Sequence, residues 1–278
     1  MKATFRIARI AGMDIGVHYT LFISFALVTW GLARTLYPTI YPDWAGRTFW
    51  LAGAASAFFL FSCVLLHEMA HAFTALAFGL PVKGITLFVL GGVSNLGADA
   101  RSAKGEFLIS VMGPLVSLVL GGVMWVAYFF WIGDPSQPVA AVVAYLAVVN
   151  LLIAAFNMLP GFPLDGGRVL RSVIWATTGD FLRATRIAAR TGQALALLLV
   201  VGGLAHMLLG NMLGGIWVSF VGWFLFVAAA SSHGEALRQA REASKVMPLN
   251  ADREPIPLFP NRPWQGAEDA PERDRRAA

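Results

Sequence analysis

Apolar residues arrive in six blocks, at about 17 to 36, 49 to 79, 107 to 132, 138 to 159, 191 to 209 and 213 to 232. Each is near or above the ~20 residues that a helix needs to cross a bilayer. The pattern predicts an all-α polytopic membrane protein with about six transmembrane helices. Two stretches break the helical pattern and read as strands. Thr4-Phe5-Arg6-Ile7-Ala8-Arg9-Ile10 mixes apolar and basic residues as a short interfacial strand does, with Gly12 and Gly16 flanking a turn. Val82 to Leu96 is β-prone and broken at Gly91-Gly92, which predicts a strand pair. At membrane depth such a piece is tolerated only where protein or a wet cavity covers its backbone.

The resulting division is an N-terminal interfacial segment over 1–16, a membrane domain over 17–232 and a polar tail over 233–278. After Val246 the tail is rich in proline and charge, and is expected to be disordered. The connection from Pro160 to Arg190 is expected to be structured.

Composition reinforces the membrane reading. Hydrophobic residues make up 57% of the chain and charged residues only 13%, against roughly 25% charged in an average soluble domain. The net charge of +5 raises the question of nucleic acid. The basic residues are nevertheless scattered through short loops rather than gathered on one face, so no nucleic-acid partner is expected. They instead follow the positive-inside rule. Lys2, Arg6, Arg9, Lys83, Arg101, Lys104, Arg168, Arg171, Arg183, Arg186 and Arg190 fall on the side of the N-terminus, while only Arg34 and Arg47 lie near the opposite loops. Both termini are therefore expected in the cytoplasm, with no removable signal peptide. Cys63 is the only cysteine, which excludes an internal disulfide and a cysteine metal cluster.

The candidate chemistry begins at His67-Glu68-Met69-Ala70-His71. Helix positions four apart share a face, so the two imidazoles can meet one zinc ion with Glu68 beside the water. The surroundings, Phe58 to Leu66 and Ala72 to Phe78, are largely apolar. An ionisable residue at that depth costs roughly 2.5 to 3.5 kcal/mol on insertion scales and marks a functional site.

A catalytic zinc needs a third protein ligand. Asp165 is the candidate, in Asn157-Met158-Leu159-Pro160-Gly161-Phe162-Pro163-Leu164-Asp165-Gly166-Gly167-Arg168, where proline and glycine let the backbone leave helical geometry and bring a carboxylate inward. Asp99 and Glu106 read as polar-loop acids, Asp134 lies on the opposite side, and Asp180 reads as a helix cap. His206 is the rival ligand, and Cys63, one turn before His67, is a further conceivable one.

On these motifs the chain resembles the site-2 protease family of intramembrane zinc metalloproteases, in its compact six-span bacterial and archaeal form. Four elements carry the resemblance: Val17-His18-Tyr19-Thr20, the His67 to His71 motif, Gly113-Pro114-Leu115 and the Asn157 to Arg168 run. It implies one Zn2+ per chain on His67, His71 and Asp165, with Glu68 as the catalytic acid/base. It further implies Asn157 near the substrate or the developing oxyanion, Asn150 as a second polar position, and Gly91 and Gly92 in a substrate-clamping strand. His18 matches as well, as an interfacial anchor. The implied partners are the lipid bilayer and a membrane-protein substrate with a transmembrane segment. The competing classes are a membrane zinc or proton transporter and a catalytically silent binder of membrane helices.

Overall fold

A computed structural model describes residues 4–89, 91–96, 100–131 and 134–246. The chain opens with a hairpin of strands β1 (Phe5–Ile10) and β2 (Met13–Val17). Ala11 and Gly12 turn it, both at positive φ. Helix α1 (Thr20–Gly31) passes through a π-helical turn, Leu32–Leu36, into α2 (Tyr37–Ile40), and the three pieces form one span. Helix α3 (Gly46–Ala77) follows, then strands β3 (Val82–Phe88) and β4 (Gly91–Leu96). The remaining helices are α4 (Ala103–Trp131), α5 (Pro138–Asn157), α6 (Asp165–Thr178), α7 (Phe181–Leu208) and α8 (Met212–Val246).

Among the described residues, six helices are long and apolar enough to cross a membrane, as the six blocks predict. Their outward faces carry large apolar side chains such as Phe129, Phe130, Leu198 and Trp217, all exposed. Two boundaries differ from the hydropathy reading. The fifth span begins at Phe181 rather than near 191, because Arg183, Arg186 and Arg190 occupy an exposed helix face while Ala184, Thr185, Ala188 and Ala189 are buried. The last helix continues past Ser232 to Val246, into the segment expected to be tail. The tail from 247 onward lies outside the described residues.

The two predicted β segments join in one sheet of order β1-β2-β3-β4. The central pair, β2 and β3, is parallel, with Ile15 opposite Ile85, and the outer pairs are antiparallel. A parallel pair needs a long crossover, supplied here by α1 to α3. Met13 and Ile85 of the sheet pack with Ala72 and Ala75 of α3 and Ile109 of α4. That core seats the sheet on the half of α3 that carries His67 and His71.

One acid is relocated. Glu106, expected in a polar loop, stands in the first turn of α4 and is fully buried. Asp99 lies outside the described residues.

Candidate metal centre

Helix α3 presents His67 and His71 on one buried face, as their spacing requires. Asp165 arrives from the first turn of α6. Its Oδ2 lies 3.2 Å from Nε2 of His67 and 3.2 Å from Nε2 of His71, and the two nitrogens are themselves 3.2 Å apart. A tetrahedral zinc with ligand bonds of about 2.0–2.2 Å spaces its donor atoms by about 3.4 Å. The observed triangle fits that spacing.

The protonation pattern also fits a cation. Nδ1 of His71 is 2.7 Å from the carbonyl oxygen of Ile109, which can only accept, so Nδ1 carries the proton and Nε2 a lone pair. Nδ1 of His67 lies 2.9 Å from the hydroxyl of Ser117, and donating there leaves its Nε2 free in the same way. With His67 in that tautomer, three acceptors converge on one point, and a positive ion is the group that satisfies them. Among the described residues, these three are the group of histidine, cysteine and acidic side chains placed to hold a metal.

Space around the triangle is made by glycine. A side chain at Gly113 of α4 would run into the His71 ring and come within 2.7 Å of Nε2 of His67. Gly166 and Gly167 serve α6 differently from the sequence expectation. They lie inside the helix rather than in an irregular turn, and their missing side chains let α6 touch the backbone of residues 158–162. Gly161 and Gly192 of α7 meet in the same junction. Asp165 is therefore delivered by a close-packed helix start.

Glu68 borders the β-sheet. Its Oε2 accepts a 2.7 Å hydrogen bond from Ser94 of β4, and a Cβ at Gly92 would overlap its side chain. Gly91 opens β4 at φ 130, a conformation that L side chains rarely adopt. Val89, at the tip of the hairpin, is gripped by α1: its N–H donates to Thr20 Oγ1 at 3.2 Å, and its carbonyl accepts from Ser24 at 2.7 Å.

Other expected residues are placed apart. Asn157 is the last residue of α5, half-buried. Asn150 is fully buried, donates to the Leu146 carbonyl at 2.8 Å and faces Cys63. His206 is exposed in the last turn of α7. His18 pairs with Thr20 at 2.9 Å. Neither of these histidines, nor Cys63, belongs to the metal group. Asp180 caps α7 as expected, accepting from the Arg183 N–H.

The sequence reading missed Ser117, Ser94 and Gly192. Ser117 had a signal, lying four residues after Gly113 on the same face of an apolar helix. Ser94 sat inside the predicted strand pair, but which face it presented depended on register.

Comparison with known proteins agrees with this geometry. The profile of peptidase family M50 matches residues 55–139 and 134–199. Rip3 of Mycobacterium tuberculosis, provisionally named a zinc metalloprotease, is 40% identical over 230 residues, covering 82% of this chain and 58% of that protein. The zinc metalloprotease MJ0392 of Methanocaldococcus jannaschii is 34% identical over 221 residues, covering 79% of this chain and 60% of that protein. The chain thus spans less than two thirds of the length of either relative. Among solved structures, the site-2 protease from Methanocaldococcus jannaschii superposes with a TM-score of 0.57 at 30% identity, covering 82% of this chain and 94% of that one. The family implies zinc and, with the six apolar helices, an integral membrane protein of bacterial or archaeal type. The chain belongs to peptidase family M50.

Proposed function

We propose that this chain is a zinc-dependent intramembrane endopeptidase that cleaves transmembrane segments of membrane-protein substrates. The observation that carries the reading is the convergence of three lone-pair atoms at 3.2 Å, next to Glu68, on a helix long and apolar enough to span a membrane. One Zn2+ is held by His67, His71 and Asp165. Zinc in such a site acidifies water and polarises a peptide carbonyl.

Glu68 takes the proton from the attacking water and returns it to the leaving amine. Ser94 keeps the Glu68 carboxylate on the sheet side of α3. Asn157, at the end of α5 ahead of the Asp165 loop, donates to the oxygen on which negative charge develops.

A helical peptide bond is shielded by its own hydrogen bonds, so the substrate must unwind. Strand β4 ends the sheet, and its outer edge has no strand partner among the described residues. Gly92 brings that strand against Glu68. An extended segment added to this edge by backbone hydrogen bonding runs past the general base. Gly91 and Gly92 are thereby substrate-binding positions, whereas Asn150, buried against Cys63, serves helix packing. The basic residues support a cytoplasmic placement of both termini.

The test is Glu68→Gln in protein reconstituted with a transmembrane substrate. Cleavage should disappear while bound zinc remains. Cleavage at the wild-type rate sinks the assignment, and metal flux into liposomes without peptidase activity supports a transporter instead.

A further inference from the structure

Beneath the metal triangle, α4 and α6 are joined by a buried ion pair that the chemistry above does not use. Glu106 of α4 is fully buried, and Arg171 of α6 is 7% exposed. Nε of Arg171 donates to Oε1 of Glu106 at 2.7 Å, and its Nη2 contacts the same oxygen. Arg168, one turn earlier, places its Nε 3.8 Å from that oxygen. The Arg171 guanidinium lies 5.0 Å from the ring centroid of Phe162 and 4.6 Å from that of Phe181. One side chain therefore touches α4, the loop that leads into Asp165, and the start of α7.

We infer that the Glu106–Arg171 pair is a positioning device for Asp165, fixing the rotation and depth of α6 so that its first-turn carboxylate reaches both histidines. The inference rests on the metal-centre reading proposed above. Both histidines are oriented from α4, by Ser117 and the Ile109 carbonyl, while Asp165 is carried by a separate helix of fourteen residues. Glu106 stands one turn before Ile109 on α4. The ion pair therefore refers the third ligand to the same helix that orients the first two. Arg171 lies six positions after Asp165, about 9 Å along the helix axis. A small rotation of α6 at that distance moves the carboxylate out of ligand range. The glycine contacts at Gly166 and Gly167 set how closely α6 approaches the 158–162 segment. They do not by themselves set its rotation against α4.

A structural pair and a positioning pair respond differently when both charges are removed together. Single removal leaves a buried charge and endangers the fold, but replacing both partners by apolar residues is frequently neutral for stability. The experiment uses the full chain in lipid nanodiscs and compares wild type, Asp165→Ala, the double variant E106L/R171L, and the double variant with Asp165→Ala added. Zinc affinity is read by competition with a chelating dye, and the visible spectrum of the cobalt-loaded protein reports ligand number. Compared zinc-free, the double variant should keep the wild-type thermal unfolding midpoint, yet it should bind zinc roughly tenfold or more weakly, the scale of lost outer-shell support. Its cobalt spectrum should resemble that of Asp165→Ala, and adding Asp165→Ala should cost little more.

Zinc affinity within twofold of wild type in the double variant overturns the inference. So does an equal cost of Asp165→Ala in both backgrounds, or loss of the fold in the double variant. If Asp165→Ala alone leaves zinc affinity unchanged, the metal-centre reading itself fails, and the inference with it.

Discussion

Ser94 Oγ donates to Oε2 of Glu68 across 2.7 Å, joining the edge strand β4 to α3. A second, longer contact runs from the same hydroxyl to the Glu68 carbonyl at 3.3 Å. The strand proposed to receive substrate and the group proposed to move protons are thus mechanically linked. A substrate that pairs with β4 pairs with an element already registered to the reacting group.

Ser94→Ala removes that link without altering the backbone edge. A hydrogen bond to a charged group contributes roughly 1.5–3 kcal/mol, so kcat should fall by about ten- to a hundredfold. KM should change little, because strand addition is intact. Ser94→Thr, which keeps the hydroxyl and the strand propensity, should recover most of the rate. Steady-state cleavage of a reconstituted substrate by the three proteins checks this. A rise in KM with unchanged kcat would place Ser94 in binding instead.

Gly113→Ala puts a methyl group where the metal triangle needs space, against the His71 ring and 2.7 Å from Nε2 of His67. Purified protein should carry well under one zinc per chain by elemental analysis, and activity should be absent. Unfolding should resemble that of zinc-depleted wild type, because the collision is with the ligand rings rather than with the helix backbone. A full zinc complement in this variant would show that α4 can withdraw from α3.

Much of this architecture was legible because lipid simplifies the code. Six apolar blocks gave six spans, and the fifth was misplaced only where arginines on an exposed face hid buried alanines on the other. His67 and His71 were legible from one period of one helix. Asp165 was found as an acid in a proline- and glycine-rich run, yet the reason offered for its glycines was different from what the structure shows. Gly166 and Gly167 are helical and make room for a neighbouring backbone, which depends on tertiary contact that no local pattern encodes. Glu106 looked like a loop acid because its partner Arg171 is distant in sequence. The four-stranded sheet was half legible. Each segment had strand character, but the parallel pairing of β2 with β3 spans the whole of the first two membrane helices.

Gly192→Ala tests the junction behind Asp165. The added Cβ would overlap the Phe162 carbonyl and lie 2.8 Å from the Phe162 nitrogen, where backbone offers no flexible end to yield. Overpacking of this kind typically costs about 1–3 kcal/mol. The thermal midpoint should drop, and zinc affinity should drop with it, since Phe162 belongs to the loop that leads into the third ligand. Gly202→Ala is the matched control on the same helix, because a Cβ there meets nothing within 4 Å. A larger effect at Gly202 than at Gly192 would contradict the junction.

Ser117→Ala bears on how the histidines are held. The two histidines are held in two ways: His71 gives its Nδ1 proton to a main-chain carbonyl at 2.7 Å, and Nδ1 of His67 lies 2.9 Å from the Ser117 hydroxyl, which accepts a proton from it in the tautomer that leaves Nε2 a lone pair. Only the second can be removed by substitution. Without it, the buried Nδ1–H of His67 loses its partner, and the tautomer with a lone pair on Nε2 is no longer favoured over its alternative. Outer-shell losses of this type weaken metal binding by about ten- to a hundredfold, and that is the expected fall in zinc affinity. Nitrogen NMR of labelled histidine should show mixed tautomers for His67 in the zinc-free variant and a single one for His71. Ser117→Thr should restore both readings. If Ser117→Ala binds zinc as tightly as wild type, His67 is held by packing against α4 alone.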